Sequence, residues 1–217
     1  MAERPILFSS PMIRALLDGR KTQTRRVVKL FDGNHADKAG CFRRGYDEEP
    51  GEWMQYAAAG AWVPVRVPYA VGDTLWVRET WAGDEDCGCV YRADHPTADL
   101  KRGDLDEGEQ QIRRWNPSIF MPRWASRLTL LVTDVRVQRV QEISEEDARA
   151  EGLVRWTDPP RVPDVHYGIA HADVWEMDPR KTFARLWDSI NAKRAPWASN
   201  PWVFAITFEK IKEPDHA

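Results

Sequence analysis

The chain has 217 residues, of which 42% are hydrophobic and 30% charged, with a formal net charge of −3. That is the composition of an ordinary globular protein with one sizeable core. No apolar run approaches the ~20 residues that span a bilayer, and the opening MAERPILFSS lacks the basic-then-apolar pattern of a signal peptide, so we expect a cytoplasmic chain with no membrane partner.

In chain order, Ile6 to Phe8 is apolar, and Ser9 or Ser10 then caps a helix that has Pro11 in its first turn and stops at Gly19. KTQTRRVVKL follows with β-branched residues at Thr22, Thr24, Val27 and Val28, which predicts a strand. Residues 31–61 lack periodicity and read as a long loop or insertion. Val71 to Ala82 reads as a Gly-Asp turn and one strand, with Val90 to Ala93 as its hairpin partner and 94–114 as a polar insertion.

Ser126 to Ile143 carries the longest alternating signal, and its two phases require a bulge near Asp134. Ser144 with Asp147 makes a variant capping box for a short helix ended by Gly152. Residues 153–177 read as a proline-containing loop, DPRKTFARLWDSIN as an amphipathic helix and WVFAITFEKI as a closing strand. The order predicts an α+β fold: one domain over 1–217, a small, partly closed β-barrel with short helices and insertions at about 31–61, 84–122 and 153–177.

Three features stand out as chemistry. Basic residues gather in Arg14, Arg20, Lys21, Arg25, Arg26 and Lys29, against acidic clusters at 84–86 and 104–109, which permits a local anion site in a chain too acidic for general duplex binding. Glu151 sits in the last turn of its helix, where the macrodipole favours cations, and four residues after the like-charged Asp147. Lys21 and Thr24, three apart on a strand, point to opposite faces unless the chain bends after Gly19. Cys41, Cys87 and Cys89 are odd in number and badly spaced for zinc, so they read as free thiols, and neither metal nor cofactor is expected. Trp76, Trp187 and Trp202 read as core, whereas Trp81 or Trp197 is placed to stack on a base.

GRKTQTRR resembles the Gly-x-Lys signature of ASCH domains, in the PUA-like superfamily of small β-barrels that bind RNA or modified bases. GDTLWVRETW, SEEDARAEG and WVFAITFEKI are similar to further segments of that family, in order from Met12 to about Ile211, and the Trp-rich form resembles ASCH-domain proteins common in bacteriophages. One branch, the bacterial N(4)-acetylcytidine amidohydrolases, is similar at Lys21, Thr24 and Glu151. It differs in being about half as long and in having an apolar residue then arginine where this chain has Arg25 and Arg26.

The resemblance implies a catalytic set of Lys21, Thr24 and Glu151, and the residues themselves offer Arg20, Arg25, Arg26, Arg78 and Trp81 as candidates for contact with substrate or nucleic acid. The implied partner is a modified nucleoside or single-stranded RNA, and the implied reaction is removal of an acyl group from N(4)-acetylcytidine-like substrates. A non-catalytic RNA-binding module is the alternative, and a ribonuclease the third. Either Thr24 attacks with a neutral Lys21 as base, or a protonated Lys21 steadies the oxyanion while Glu151 activates water. Replacing Lys21 by Ala or Glu151 by Gln is expected to abolish turnover and leave the fold intact.

Overall fold

The computed structural model describes residues 1–29, 42–44, 53–56, 62–65, 67–84, 88–94, 115–157, 165–169 and 175–211; at 42–44, 53–56, 62–64, 84, 156–157, 165–166 and 175 only the backbone is described. In chain order the elements are β1 (Glu3–Leu7), α1 (Ser10–Leu17), β2 (Gln23–Val27), β3 (Phe42–Arg44), β4 (Trp53–Tyr56), β5 (Trp62–Pro64), β6 (Thr74–Arg78), β7 (Trp81–Asp84) and β8 (Gly88–Tyr91). They continue as β9 (Thr129–Arg139), α2 (Glu145–Ala150), β10 (Val154–Thr157), β11 (Val165–Gly168), β12 (Trp175–Glu176), α3 (Pro179–Asn191) and β13 (Trp202–Ile211).

This is a mixed α+β architecture built on a five-stranded sheet, ordered β1-β6-β9-β13-β2. β1 runs parallel to β6, and the other neighbours are antiparallel. Strand alternation gives the sheet two covered faces. On β13, Phe204, Ile206 and Phe208 join Ile6, Val77 and Val132 in the main core, while Val203 faces the other way, against Val140, Ala148, Phe183 and Trp187 beside α2 and α3.

The bulge lies one residue from its expected place. Thr207 pairs with Asp134 and Phe208 with Val132, so Thr133 is the extra residue, and the shift lets both Val132 and Val135 enter the same core.

Among the described residues no ladder closes the main sheet, whose two edges are β1 and β2. Other expectations need correction. The strand expected over Val71 to Ala82 breaks at Glu79, whose buried carboxylate turns to Arg127 (2.9 and 3.1 Å) while its N–H donates to the Met121 sulfur; the chain resumes as β7, hairpinned to β8. Within 31–61 and 153–177, read as loops, lie β3 and β4, which pair with β5 of 62–64, and a second small antiparallel sheet of β10 to β12. Strands of two to four residues are too short to show a period in sequence. Residues 95–114, Cys41 and Cys87 lie outside the described residues, and Cys89 forms no disulfide with a described residue.

The edge strand β1 is fixed by Asp73. Its carboxylate accepts from the N–H groups of Ala2 (2.8 Å) and Ala70 (3.0 Å) and from Arg4 Nε (3.3 Å), binding the start of the chain to the turn that precedes β6. Burial alone pushes this carboxyl up, but the two N–H groups and Arg4 outweigh it and hold it below its ordinary value. Since the folded-state value is the lower one, the stabilisation is complete above the ordinary 3.8 and is lost as pH falls through the lowered value. Asp73→Asn is therefore expected to lower the melting temperature at neutral pH, with the gap to wild type closing as thermal melts are taken down through the acid range; a gap constant with pH would contradict this.

Candidate active site at the free edge of the sheet

The end of α1 sets the position of Lys21. Gly19 takes a φ of 72°, open to glycine at no steric cost, and the N–H groups of Arg20 and Lys21 both return to the Ala15 carbonyl at 2.9 Å. Lys21 then pairs as an isolated bridge with Glu151, the Thr22 N–H donates to Ala150 O, and Thr22 O accepts from the Phe208 N–H. The three residues before β2 are thus pinned between the end of α2 and β13. Gly152 (φ 98°) makes this approach possible, because a Cβ there would meet Ala15 Cβ at 2.9 Å and Lys21 Cβ at 3.1 Å.

Lys21 Nζ, wholly buried, donates to Gln23 O (2.8 Å), Glu151 O (2.9 Å) and Glu151 Oε2 (2.9 Å). Three acceptors for three protons is the coordination of an ammonium. Burial pushes the Lys21 pKa down, while the Glu151 carboxylate pulls it up; Arg26 and Arg25 push in the same direction as burial. Glu151 Oε1 accepts from Arg25 Nη1 (3.0 Å), and Arg25 Nη2 reaches Asp147 Oδ2 (2.8 Å). Gln23 Nε2 and Arg136 Nη2 complete Asp147 at 3.2 and 3.1 Å.

Those partners explain two oddities. Glu151 and Asp147 tolerate one another because Arg25 stands between their carboxylates. The capping box is half made: Asp147 N–H donates to Ser144 Oγ, but the Asp147 side chain is drawn away to Arg25, Gln23 and Arg136 instead of reaching back to Ser144.

Thr24 pairs with Ile206 of β13 and is buried. With Glu151, Arg25 and Arg26 it lines a cavity of about 80 Å³ at the free edge of β2, walled by Met12 of α1 and by Phe183, Leu186 and Trp187 of α3. That space holds water but not a nucleobase, which needs a site in the ~300–1,000 Å³ class. Thr24 and Glu151 therefore share one cavity, whereas Lys21 does not line it and acts on it through Glu151.

The remaining candidates separate. Arg20 braces the turn through Gly152 O (2.7 Å) and Asp18 (2.7 Å). Arg25 is buried under the Phe183 ring and engaged with two carboxylates, so it belongs to the frame and not to a phosphate surface. Arg26 is half-buried, lies over the Phe8 ring and donates to Leu7 O at 2.8 Å. Arg78 stacks on Trp76 and donates to Ile119 O, away from this cavity. Trp81 is buried edge-on to Trp124 beside Met121, which removes it as a base-stacking platform, and Trp197 packs against Phe183. Sequence reasoning missed Gln23, Asp147 and Arg136 as members of the network; the available signal was that Asp147 breaks the same like-charge rule as Glu151.

No protein-family model, curated protein or solved structure matches this chain. Among the described residues no cluster of His, Cys, Asp and Glu is arranged to hold a metal ion, and no helix is long and apolar enough to cross a membrane.

Removing one member of a buried ion pair leaves its partner unpaired, at a cost of about 3–5 kcal/mol. Lys21→Ala and Glu151→Ala are thus expected to destabilise by about that much, contrary to the sequence-based expectation for Lys21→Ala, and Glu151→Gln, which keeps an acceptor, by less. Urea unfolding measures this; a Glu151→Ala midpoint equal to wild type would show that the network carries no load.

Proposed function

We propose that the chain is an amidohydrolase acting on an N(4)-acylated cytosine, in an ASCH-type, PUA-like fold. The reading is carried by one observation: Glu151, fixed by a buried lysine and a buried arginine, shares a water-sized cavity with Thr24 at the free edge of the sheet. Both Glu151 oxygens accept one strong donor and retain a lone pair each, so the carboxylate can still accept from water.

Of the two routes, the saturated coordination of Lys21 Nζ favours attack by water, with Lys21 supporting Glu151 instead of steadying the oxyanion, since its three donors are engaged outside the cavity. Glu151 takes a proton from the water as its oxygen bonds to the acyl carbon. The bond from that carbon to the exocyclic nitrogen then breaks, and Glu151 returns the proton to the leaving amine, giving cytidine and acetic acid, which loses its remaining proton to solvent as acetate. Thr24 positions the substrate, and Lys21 and Arg25 hold the carboxylate at the cavity. α3 walls the cavity on its apolar side, so admitting a base requires this helix to give way.

A non-catalytic reader of single-stranded RNA is the second reading, favoured by the basic groove beside the cavity.

Purified protein incubated with N(4)-acetylcytidine, without metal or nucleotide, is expected to release cytidine. Glu151→Gln should lose ~10²-fold or more in rate, while Thr24→Ala keeps measurable turnover, with circular dichroism confirming that both are folded. Chromatography of the nucleoside reads the result. Thr24→Ala as inactive as Glu151→Gln would restore threonine as the nucleophile, and no turnover by folded wild type would leave the reader.

A further inference from the structure

A second, smaller void borders Glu151. It measures about 30 Å³, and among its lining residues are Met12 and Ala15 of α1, Leu153, Ile169, and Leu186 of α3. Leu153 and Ile169 flank the Val154–Gly168 pair that ends the β10–β11 ladder. Among the described residues, Glu151 is the one lining residue with a polar side chain. Met12, Glu151 and Leu186 line both this void and the Thr24–Glu151 cavity, so the two spaces share these walls. Gly152 also borders the void, and a Cβ there would meet Ala15 Cβ at 2.9 Å. The two main chains are therefore already as close as they can come, and the void has a fixed boundary on that side.

The two spaces differ in polarity. A buried water needs about two to four hydrogen-bond partners, and the larger cavity offers Thr24, Glu151 and Asn191 for that purpose. Around the smaller void the main-chain groups already have partners. The Ala15 carbonyl accepts from the N–H groups of Arg20 and Lys21, the Glu151 carbonyl from Lys21 Nζ and the Gly152 carbonyl from Arg20 Nη1, while the Gly152 N–H donates to Arg149 O. An apolar group of about the size of one water fits such a space better than water does. An N(4)-acyl group carries one: its carbonyl carbon bears the base, through the exocyclic nitrogen, on one side and an alkyl group on the other. With that carbon at Glu151 and the base on the Thr24 side, the alkyl group is directed to the void.

We infer that this void receives the alkyl end of the acyl group, so that the chain selects acetyl over longer acyl groups and Ile169 is a residue that determines this specificity. The inference rests on the hydrolase reading above for the identity of the substrate. Ile169 is the wall best suited to a test: it is only part-buried, whereas Leu153 is 5% exposed and belongs to the core beside α2 and α3. Truncating Ile169 therefore enlarges the void at less risk to the fold.

The test compares N(4)-acetyl-, N(4)-propionyl- and N(4)-butyrylcytidine, with cytidine release read by chromatography. Wild type is expected to favour acetyl over propionyl by about 10-fold or more in kcat/KM, because one methylene in an apolar pocket is worth about 10–200-fold. Butyryl should be poorer still. Ile169→Ala should cut the acetyl preference by about 10-fold, and Ile169→Val should cut it less. The ratio is taken within each variant, so a loss of folded protein cancels from it. Equal wild-type kcat/KM for acetyl and propionyl would overturn the pocket and leave the hydrolase standing, as would a preference unchanged in Ile169→Ala. If no acylcytidine is turned over, the hydrolase reading falls, and calorimetric titration of the same compounds decides the pocket alone. Tighter binding of acetylcytidine than of propionylcytidine, lost in Ile169→Ala, supports it, and equal affinities overturn it.

Discussion

Burial of the Lys21 amino group is the constraint on which the rest of the site depends. A charge taken wholly out of water must be met by close acceptors, or it is shed as a proton. Here the acceptors are the carboxylate and carbonyl of Glu151, 130 residues away in the chain, and the carbonyl of Gln23 on the neighbouring strand. Meeting that requirement locks the C-terminus of α2 onto the edge of β2. Arg25 repeats the device toward Glu151 and Asp147, so two buried cations face two carboxylates, with Arg136 closing the rim. A site built this way is preorganised by the same ion pairs that hold two elements together, and so function and stability cannot be varied separately at Lys21.

The same side chains manage the edges of an open sheet. Natural sheets protect free edges with lysine, arginine and proline, and here the protection is local: Lys21, Arg26 and Tyr69 each occupy an outward carbonyl, and Pro5 withholds a donor. The seam that remains has three of its outward carbonyls already engaged, and it keeps its positive charge. Protection of the edge and presentation of a cationic groove are thus one arrangement, continuous with the Thr24–Glu151 cavity through Arg26 and Val27.

The long elements were legible because their patterns are long. β13 runs over the ten residues WVFAITFEKI as expected, α3 begins after its Asp178 cap, and the phase change in β9 betrayed a bulge. Glu151 was legible as a residue that broke local rules, and its partners supply the reason. Arg25 was misread as a phosphate ligand because sequence alternation gives a face but not what covers it: both faces of β2 are covered, and α2 with Phe183 turns the outer one into an interior. Trp81 was misread for a similar reason, since its neighbours Met121 and Trp124 come from about forty residues downstream. The strands of the two small sheets carry too few residues to show a period at all.

Whether Lys21 is an ammonium decides between water and Thr24 as the attacking group. The most direct measurement is nitrogen-15 NMR of selectively labelled lysine, following Lys21 Nζ through neutral pH and assigned with a Lys21→Arg variant. Three hydrogen bonds to three acceptors predict a protonated, slowly exchanging ammonium near pH 7, with its pKa nonetheless below the ordinary lysine value because burial opposes the charge. A neutral amine at that pH would contradict the water mechanism and return the proton of Thr24 to Lys21.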